Sequence, residues 1–191
     1  MPHKFDPKQM HKLESEERKK LLPAKETLKK LLLEKGDDVA DIGCGIGYFT
    51  IPAAKLITEE ATIYGVDTSK QMLNELEKRV TKQGLTNIKL VNGEEYQANI
   101  PNNSIDFILI SNVIHEIDDQ DRFLANYLKK LKIEGKLAII DFKKKENTIG
   151  PPLKDRISQQ ELLNTLDNHS LNVIKNISLN NQQYGIIAKK I

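Results

Sequence analysis

Along the first 35 residues apolar side chains recur at helical spacing. Asp6-Pro7-Lys8-Gln9 has the layout of a helix start, with Asp6 as cap, Pro7 in the first turn and Gln9 reaching back. Pro23 breaks and restarts the pattern, after which Leu28, Leu31 and Leu32 share a face and Gly36 ends it. From residue 38 the rhythm changes, and short apolar runs alternate with amphipathic stretches. Runs at 39–42, 62–66, 88–91, 105–111 and 136–142 predict buried strands. One helix is predicted through Phe49, Ala53, Ala54 and Ile57. A second, capped by Ser69 and closed by Gly84, carries Met72, Leu73, Leu76 and Val80. A third spans 119–131, with Phe123, Leu124, Tyr127, Leu128 and Leu131 as its core stripe. Ser158-Gln159-Gln160-Glu161 is a capping box opening a helix with Leu162, Leu163 and Leu166. Two last strands, 173–178 and 184–188, flank the turn Asn180-Asn181-Gln182.

Strands separated by helices predict an α/β fold whose mostly parallel sheet is covered on both faces. The terminal hairpin inserts one antiparallel strand in the edge region. With 191 residues the chain suits one domain, a helical segment at 1–35 followed by a core at 36–191. Lys and Arg number 29 against 27 Asp and Glu, so no basic excess favours nucleic acid. The Lys143-Lys144-Lys145 run reads as a solvated strand end. Cys44 is the only cysteine, which excludes an intramolecular disulfide or a multi-thiol site within these residues. The N-terminus shows no apolar signal region, and no run approaches the ~20 apolar residues of a membrane helix. A cytoplasmic protein is expected, as a monomer or a homodimer.

In such sheets ligands sit beyond the carboxyl ends of the strands. The first loop there is Asp41-Ile42-Gly43-Cys44-Gly45-Ile46-Gly47-Tyr48. Its spacing is G-x-G-x-G, whereas a dinucleotide loop wants G-x-G-x-x-G and would place the third glycine at Tyr48. Asp41 is a poor neighbour for pyrophosphate and a good one for a cationic amino acid moiety. Asp67 ends the second strand and suits the two hydroxyls of a ribose. The third loop, Asn92-Gly93-Glu94-Glu95, offers a carboxylate to an adenine amino group. The fourth strand runs out into Ser111-Asn112-Val113-Ile114-His115-Glu116, and the fifth ends in Asp141-Phe142. His115, beside Glu116, is the candidate base. Cys44 reads as a small packing residue. Tyr48 closes over a ligand or packs.

The order VADIGCGIGYFT, IYGVDTSKQML, NGEEYQANIPNNSIDFILISNVIHEIDD and GKLAIIDF resembles the class I S-adenosylmethionine-dependent methyltransferases over residues 20–191. The small-molecule, quinone-methyltransferase-like branch is nearest. The resemblance implies a Rossmann-like, doubly wound, seven-stranded sheet in three layers. It implies S-adenosyl-L-methionine as cofactor, S-adenosyl-L-homocysteine as product, and in-line methyl transfer to a small molecule. Carried onto this sequence, Asp41 and the backbone of Gly43, Cys44, Gly45 and Gly47, with Tyr48, face the methionine part. Asp67 takes the ribose, and Thr68 and Met72 lie near the adenosine. Gly93, Glu94 and Glu95 flank the adenine, with Glu94 where the family often has Asp. Asn112 borders the methyl group. The helical segment 1–35, with His3 and His11, could fold over the cleft as a lid.

The N/D-P-P-Y signature of enzymes acting on exocyclic amino groups is absent, Ser111-Asn112-Val113-Ile114 standing there. Metal-dependent relatives want acidic ligands after strands four and five. Asp141 suits, Ser111 does not, so no metal is expected. The rival readings are a catalytically silent S-adenosylmethionine binder and a nicotinamide-dependent oxidoreductase.

Overall fold

The computed structural model describes residues 5–146 and 150–191. His3 therefore lies outside the described residues. Seven strands form one sheet: β1 (Val39–Ile42), β2 (Ile63–Asp67), β3 (Ile88–Asn92), β4 (Ile105–Ser111), β5 (Leu131–Phe142), β6 (Leu171–Ser178) and β7 (Gln183–Lys190). Their spatial order is β3-β2-β1-β4-β5-β7-β6. β1 pairs in parallel with β2 on one side and β4 on the other, so the order reverses there. A crevice opens at the carboxyl end of β1 for this reason. β7 runs antiparallel between β5 and β6, as the terminal hairpin predicts.

Alternation along the strands feeds two cores. Ala40, Ile42, Ile108, Ile110, Leu137 and Ile139 face α5 (Gln120–Leu128) and α6 (Gln159–Asp167), meeting Phe123, Leu124, Leu162 and Leu166. Val39, Phe107, Leu109, Ala138 and Ile140 face the other way, onto Leu28 and Leu31 around α2 (Ala24–Lys30) and Ala53 and Ala54 of α3 (Thr50–Ala54). α4 (Lys70–Lys82) adds Leu73 and Leu76, packed with Cys44 and Ile51. The period of 2 sets both faces at once, which is why the sheet carries helices on each. Ser158 and Glu161 form the full capping box of α6, a device worth ~1 kcal/mol.

Four local expectations change. Asp6 does cap the first segment by accepting from the Lys8 N–H at 2.9 Å, but Pro7–Glu14 is a 3-10 helix with a kink at Gln9. The Gln9 side chain turns to Lys12, accepting from its Nζ at 2.6 Å, rather than reaching back. α2 stops at Lys30, and Leu32, not Gly36, adopts the left-handed conformation (φ 67°). α5 stops at Leu128. Leu131 fits a helical stripe by spacing, yet it pairs with Ile105 and begins β5, with a register shift before Phe107–Lys136. β3 reaches β4 through the loop at 93–104, where the sequence predicts no helix and the structure holds a single bridge between Glu94 and Gln97.

The N-terminal part packs onto the core. α1 (Glu16–Leu21) starts at Ser15, whose Oγ accepts from the Arg18 N–H. No helix among the described residues is long and apolar enough to cross a membrane.

Candidate active site

The glycine loop follows β1 directly, and its three glycines all have positive φ. Two of them make room for protein. A Cβ on Gly43 would lie 2.3 Å from Cγ2 of Val113, and one on Gly47 would lie 2.3 Å from Cδ1 of Leu76. These positions let the segment after β4 and helix α4 close onto the loop. Gly45 differs: a Cβ there meets only Cδ1 of Leu13, at 3.2 Å, from the N-terminal segment. Cys44 is buried against Ile51, Leu73 and Leu76, and burial pushes its thiol well above the usual range. It packs, and it is a poor nucleophile in that state.

Asp67 holds this loop in place. Its Oδ2 accepts the Gly45 N–H and its Oδ1 accepts the Ser69 N–H, each at 2.8 Å. One carboxylate thus joins the loop to the start of α4. Burial raises its pKa, opposed by the amide donors of Ser69, Gly45 and Thr68. A carboxylate has about four lone-pair sites, so a vicinal diol can still be received. Asp41 is buried, and its Oδ2 accepts from Oγ1 of Thr50 at 2.6 Å. Burial lifts its carboxyl to about 6, with the Asp67 charge adding to the rise and Thr50 and Arg18 opposing it. Ionised Asp41 is therefore a strained anion that a cation would relieve.

Tyr48 does not hang free over the loop. Its hydroxyl donates to the carbonyl of Leu22 at 2.7 Å, and its ring meets Phe49 edge-on. Met72 is buried on α4, whereas Thr68 is exposed and its carbonyl accepts from Nδ2 of Asn92. Gly93 donates to the carbonyl of Asp67 at 3.1 Å, which draws the third loop to the second. Glu94 is exposed and its Oε2 accepts from Nε2 of Gln97, while Glu95 follows it partly buried. Nothing in these contacts orients Glu94 toward the glycine loop.

On the other side of the crevice the chain after β4 bends sharply. Asn112 takes the left-handed conformation (φ 57°) and its Oδ1 accepts from Nε2 of Gln183 at 2.8 Å. His115 lies in the 3-10 turn Ile114–Glu116 and is only 6% exposed. Its Nδ1 lies 2.8 Å from Oδ1 of Asp141, and its Nε2 lies 3.9 Å from Oε1 of Glu116. Burial by itself would lower the imidazole pKa. The hydrogen bond and charge of Asp141, with Glu116, outweigh burial, and the pKa rises above 6.5. With Nδ1–H held by Asp141, Nε2 is the basic atom. Phe142 meets His115 edge-on at 6.1 Å, and Arg156 stacks 5.6 Å from the other ring of that pair, Phe142. Arg156 is buried, donating to the carbonyls of Pro151, Lys143 and Lys145. A hollow of about 510 Å³ opens beside it, lined by Lys145, Gly150, Pro151, Pro152 and Leu153.

So Asp41, Asp67, the glycine loop and Tyr48 come together at β1–β2, and Asn112 and His115 at β4. Three residues were not singled out for these roles in the sequence: Arg18 over Tyr48, Asp141 behind His115, and Gln183 behind Asn112. Only Asp141 carried a signal, as an acidic residue closing a strand.

A family model described as "Methyltransferase domain" matches residues 33–190. That match spans the whole sheet and every loop just described. The chain belongs to the class I S-adenosylmethionine-dependent methyltransferases. A solved structure titled a SAM dependent methyltransferase, from Aquifex aeolicus, is 30% identical, covers 98% of this chain and 100% of its own, and superposes with a TM-score of 0.93. A type 11 methyltransferase structure from Sulfolobus solfataricus is 25% identical, covering 88% of this chain and 91% of its own with a TM-score of 0.73. A demethylmenaquinone methyltransferase of Listeria monocytogenes is 33% identical over 117 residues, 61% of this chain and 49% of its own. The chain spans about half the length of such curated relatives.

The methyltransferase loop fits S-adenosylmethionine by charge. That cofactor carries a sulfonium, an ammonium and one carboxylate. Asp41 and Asp67 supply two anions beside the loop, and Arg18 supplies one cation within reach of Asp41. A pyrophosphate would bring two negative charges toward Asp41 instead, so the nicotinamide reading loses to the methyltransferase one on chemistry as well as on family.

Proposed function

We propose that this methyltransferase alkylates a small-molecule acceptor that must lose a proton, and that His115 takes it. The His115–Asp141 contact at 2.8 Å, at the carboxyl ends of β4 and β5, carries the reading. S-adenosyl-L-methionine, when bound, supplies an activated methyl group, so the hard chemistry is the cofactor's. Asp41 and the backbone of the glycine loop would hold its methionine part, Asp67 its ribose, and Glu94 its adenine. Asn112, fixed by Gln183, borders the reaction zone. The protein's part is to line up acceptor and methyl for in-line displacement and to keep water out. A buried His115 serves both ends, since water reaches it poorly and Asp141, on Nδ1, stabilises the imidazolium formed when Nε2 takes the proton.

The names of the curated relatives make demethylmenaquinone-type compounds the first acceptors to try. A single buried thiol, Cys44, agrees with a reducing, cytoplasmic setting. The test is turnover, followed as S-adenosylhomocysteine formation against a panel of quinol, phenol and thiol acceptors. Turnover with a protic acceptor supports the reading. Tight binding of S-adenosylhomocysteine with no turnover on any acceptor would favour a silent binder.

A further inference from the structure

We propose that Arg18 is a cofactor-binding residue, its guanidinium receiving the carboxylate of the methionine moiety at the glycine loop. The identity of the ligand rests on the methyltransferase reading; the placement of Arg18 rests on its own contacts. The segment carrying it is fastened across the loop at three points. Leu13 approaches Gly45, Oε1 of Glu14 pairs with Nη1 of Arg79 on α4 at 2.5 Å, and Tyr48 donates to the carbonyl of Leu22. Between those points the Arg18 guanidinium lies 4.2 Å over the Tyr48 ring.

Its neighbours make the contrast. Arg79 pairs with both Glu14 and Glu75, and Lys19 pairs with Glu16. Arg18 stacks on an aromatic face and, among the described residues, its guanidinium has no hydrogen bond or ion pair. A partly buried guanidinium whose five N–H donors have no protein acceptor among the described residues is open to a ligand, and a carboxylate satisfies it in a fork. The contact with the Tyr48 face restrains the guanidinium, so less order has to be imposed on binding. A carboxylate entering beside Asp41 without Arg18 would meet only negative charge. With Arg18, the carboxylate finds an opposite partner, as the ammonium does in Asp41.

The experiment compares two probes by calorimetric titration of the full chain. S-adenosylhomocysteine carries the amino acid part; 5′-methylthioadenosine keeps the nucleoside and thioether without it. Arg18→Gln is expected to weaken S-adenosylhomocysteine by roughly 10- to 100-fold and leave methylthioadenosine unchanged. Arg18→Lys restores part of the loss, as a point charge without the fork. Equal weakening of both probes would mean Arg18 only props the loop, and that overturns the proposal. So does an Arg18→Gln variant that binds S-adenosylhomocysteine as wild type does. If the wild-type chain binds methylthioadenosine and S-adenosylhomocysteine equally well, there is no carboxylate contact to assign and the proposal falls. If wild type binds neither, the methyltransferase reading itself fails.

Discussion

The two sides of the crevice use their carboxylates in opposite ways. Beside β2, Asp67 has each oxygen on a backbone N–H, and its partners Gly45 and Ser69 are parts of the loop and helix it joins. Beside β5, Asp141 is fully buried and directs Oδ1 to His115 and to the Phe142 N–H, while Oδ2 has no partner among the described residues. An acceptor oxygen left so in a core costs free energy, of the order of 1–3 kcal/mol. The first carboxylate is a structural clamp, and we propose that it also receives the ribose. The second is held in a state that favours charge on its histidine. A rigid cradle suits cofactor binding, where geometry must be ready. A polarised pair suits a step in which a proton moves.

The largest effect is expected where that pair is broken. His115→Ala should lower kcat by roughly 10²- to 10⁴-fold with little change in S-adenosylhomocysteine affinity. Asp141→Asn should lower kcat too and move the pH–rate profile toward acid, since the neutral amide no longer raises the imidazole pKa. A profile that matches wild type would make Asp141 a packing residue. On the clamp side the pattern inverts. Asp67→Ala should weaken S-adenosylhomocysteine by about 100-fold, because it removes the diol acceptor and frees the Gly45 N–H together. Unchanged affinity in titration would remove the ribose assignment.

Smaller effects sharpen the division among the glycines. Gly43→Ala drives a Cβ into Val113 at a left-handed φ, and should cost about 2–4 kcal/mol in denaturant unfolding. Gly84→Ala meets nothing within 4 Å at φ +64°, so only the backbone cost of about 1–2 kcal/mol remains. Similar values at the two sites would deny Gly43 its packing role.

Asp41 provides a pH test. Its carboxyl rests near 6 in the fold against 3.8 ordinarily, so the native state holds more protons than the unfolded chain between those values. Stability of the unliganded protein should therefore fall as pH rises from about 4 to 7, by roughly 3 kcal/mol at most. Asp41→Asn should flatten that slope. A cationic ligand favours the ionised form, so S-adenosylhomocysteine, through its ammonium group, should bind more tightly at pH 7.5 than at pH 5. Calorimetry at both pH values checks it, and affinity that is flat with pH would detach Asp41 from the ligand.

Legibility in the sequence followed the range of each interaction. The bounds of β1 and β4 coincide with the predicted runs, and the caps Asp6, Ser69 and Ser158 all accept from backbone N–H groups as expected. Those signals depend on neighbours within four residues. Leu131 fits a helical stripe in the sequence because an apolar residue three after Leu128 satisfies a helix as well as a strand. Its pairing with Ile105 is settled 26 residues away. The candidate loops were legible because strand ends are local features and one rule of parallel sheets says which ends matter.

The sequence by itself determined the α/β alternation, the three-glycine register and the acidic residue after β2, since periodicity, turns and caps are written in short windows. Only the tertiary structure decided that Asp141 stands behind His115, that Gln183 steadies Asn112 and that Arg18 lies over Tyr48. Each of those pairs joins residues from elements that the sheet order or the docking of the N-terminal segment brings together. Their contacts depend on which strands are neighbours, and strand neighbourhood is fixed by burying both faces of the whole sheet at once.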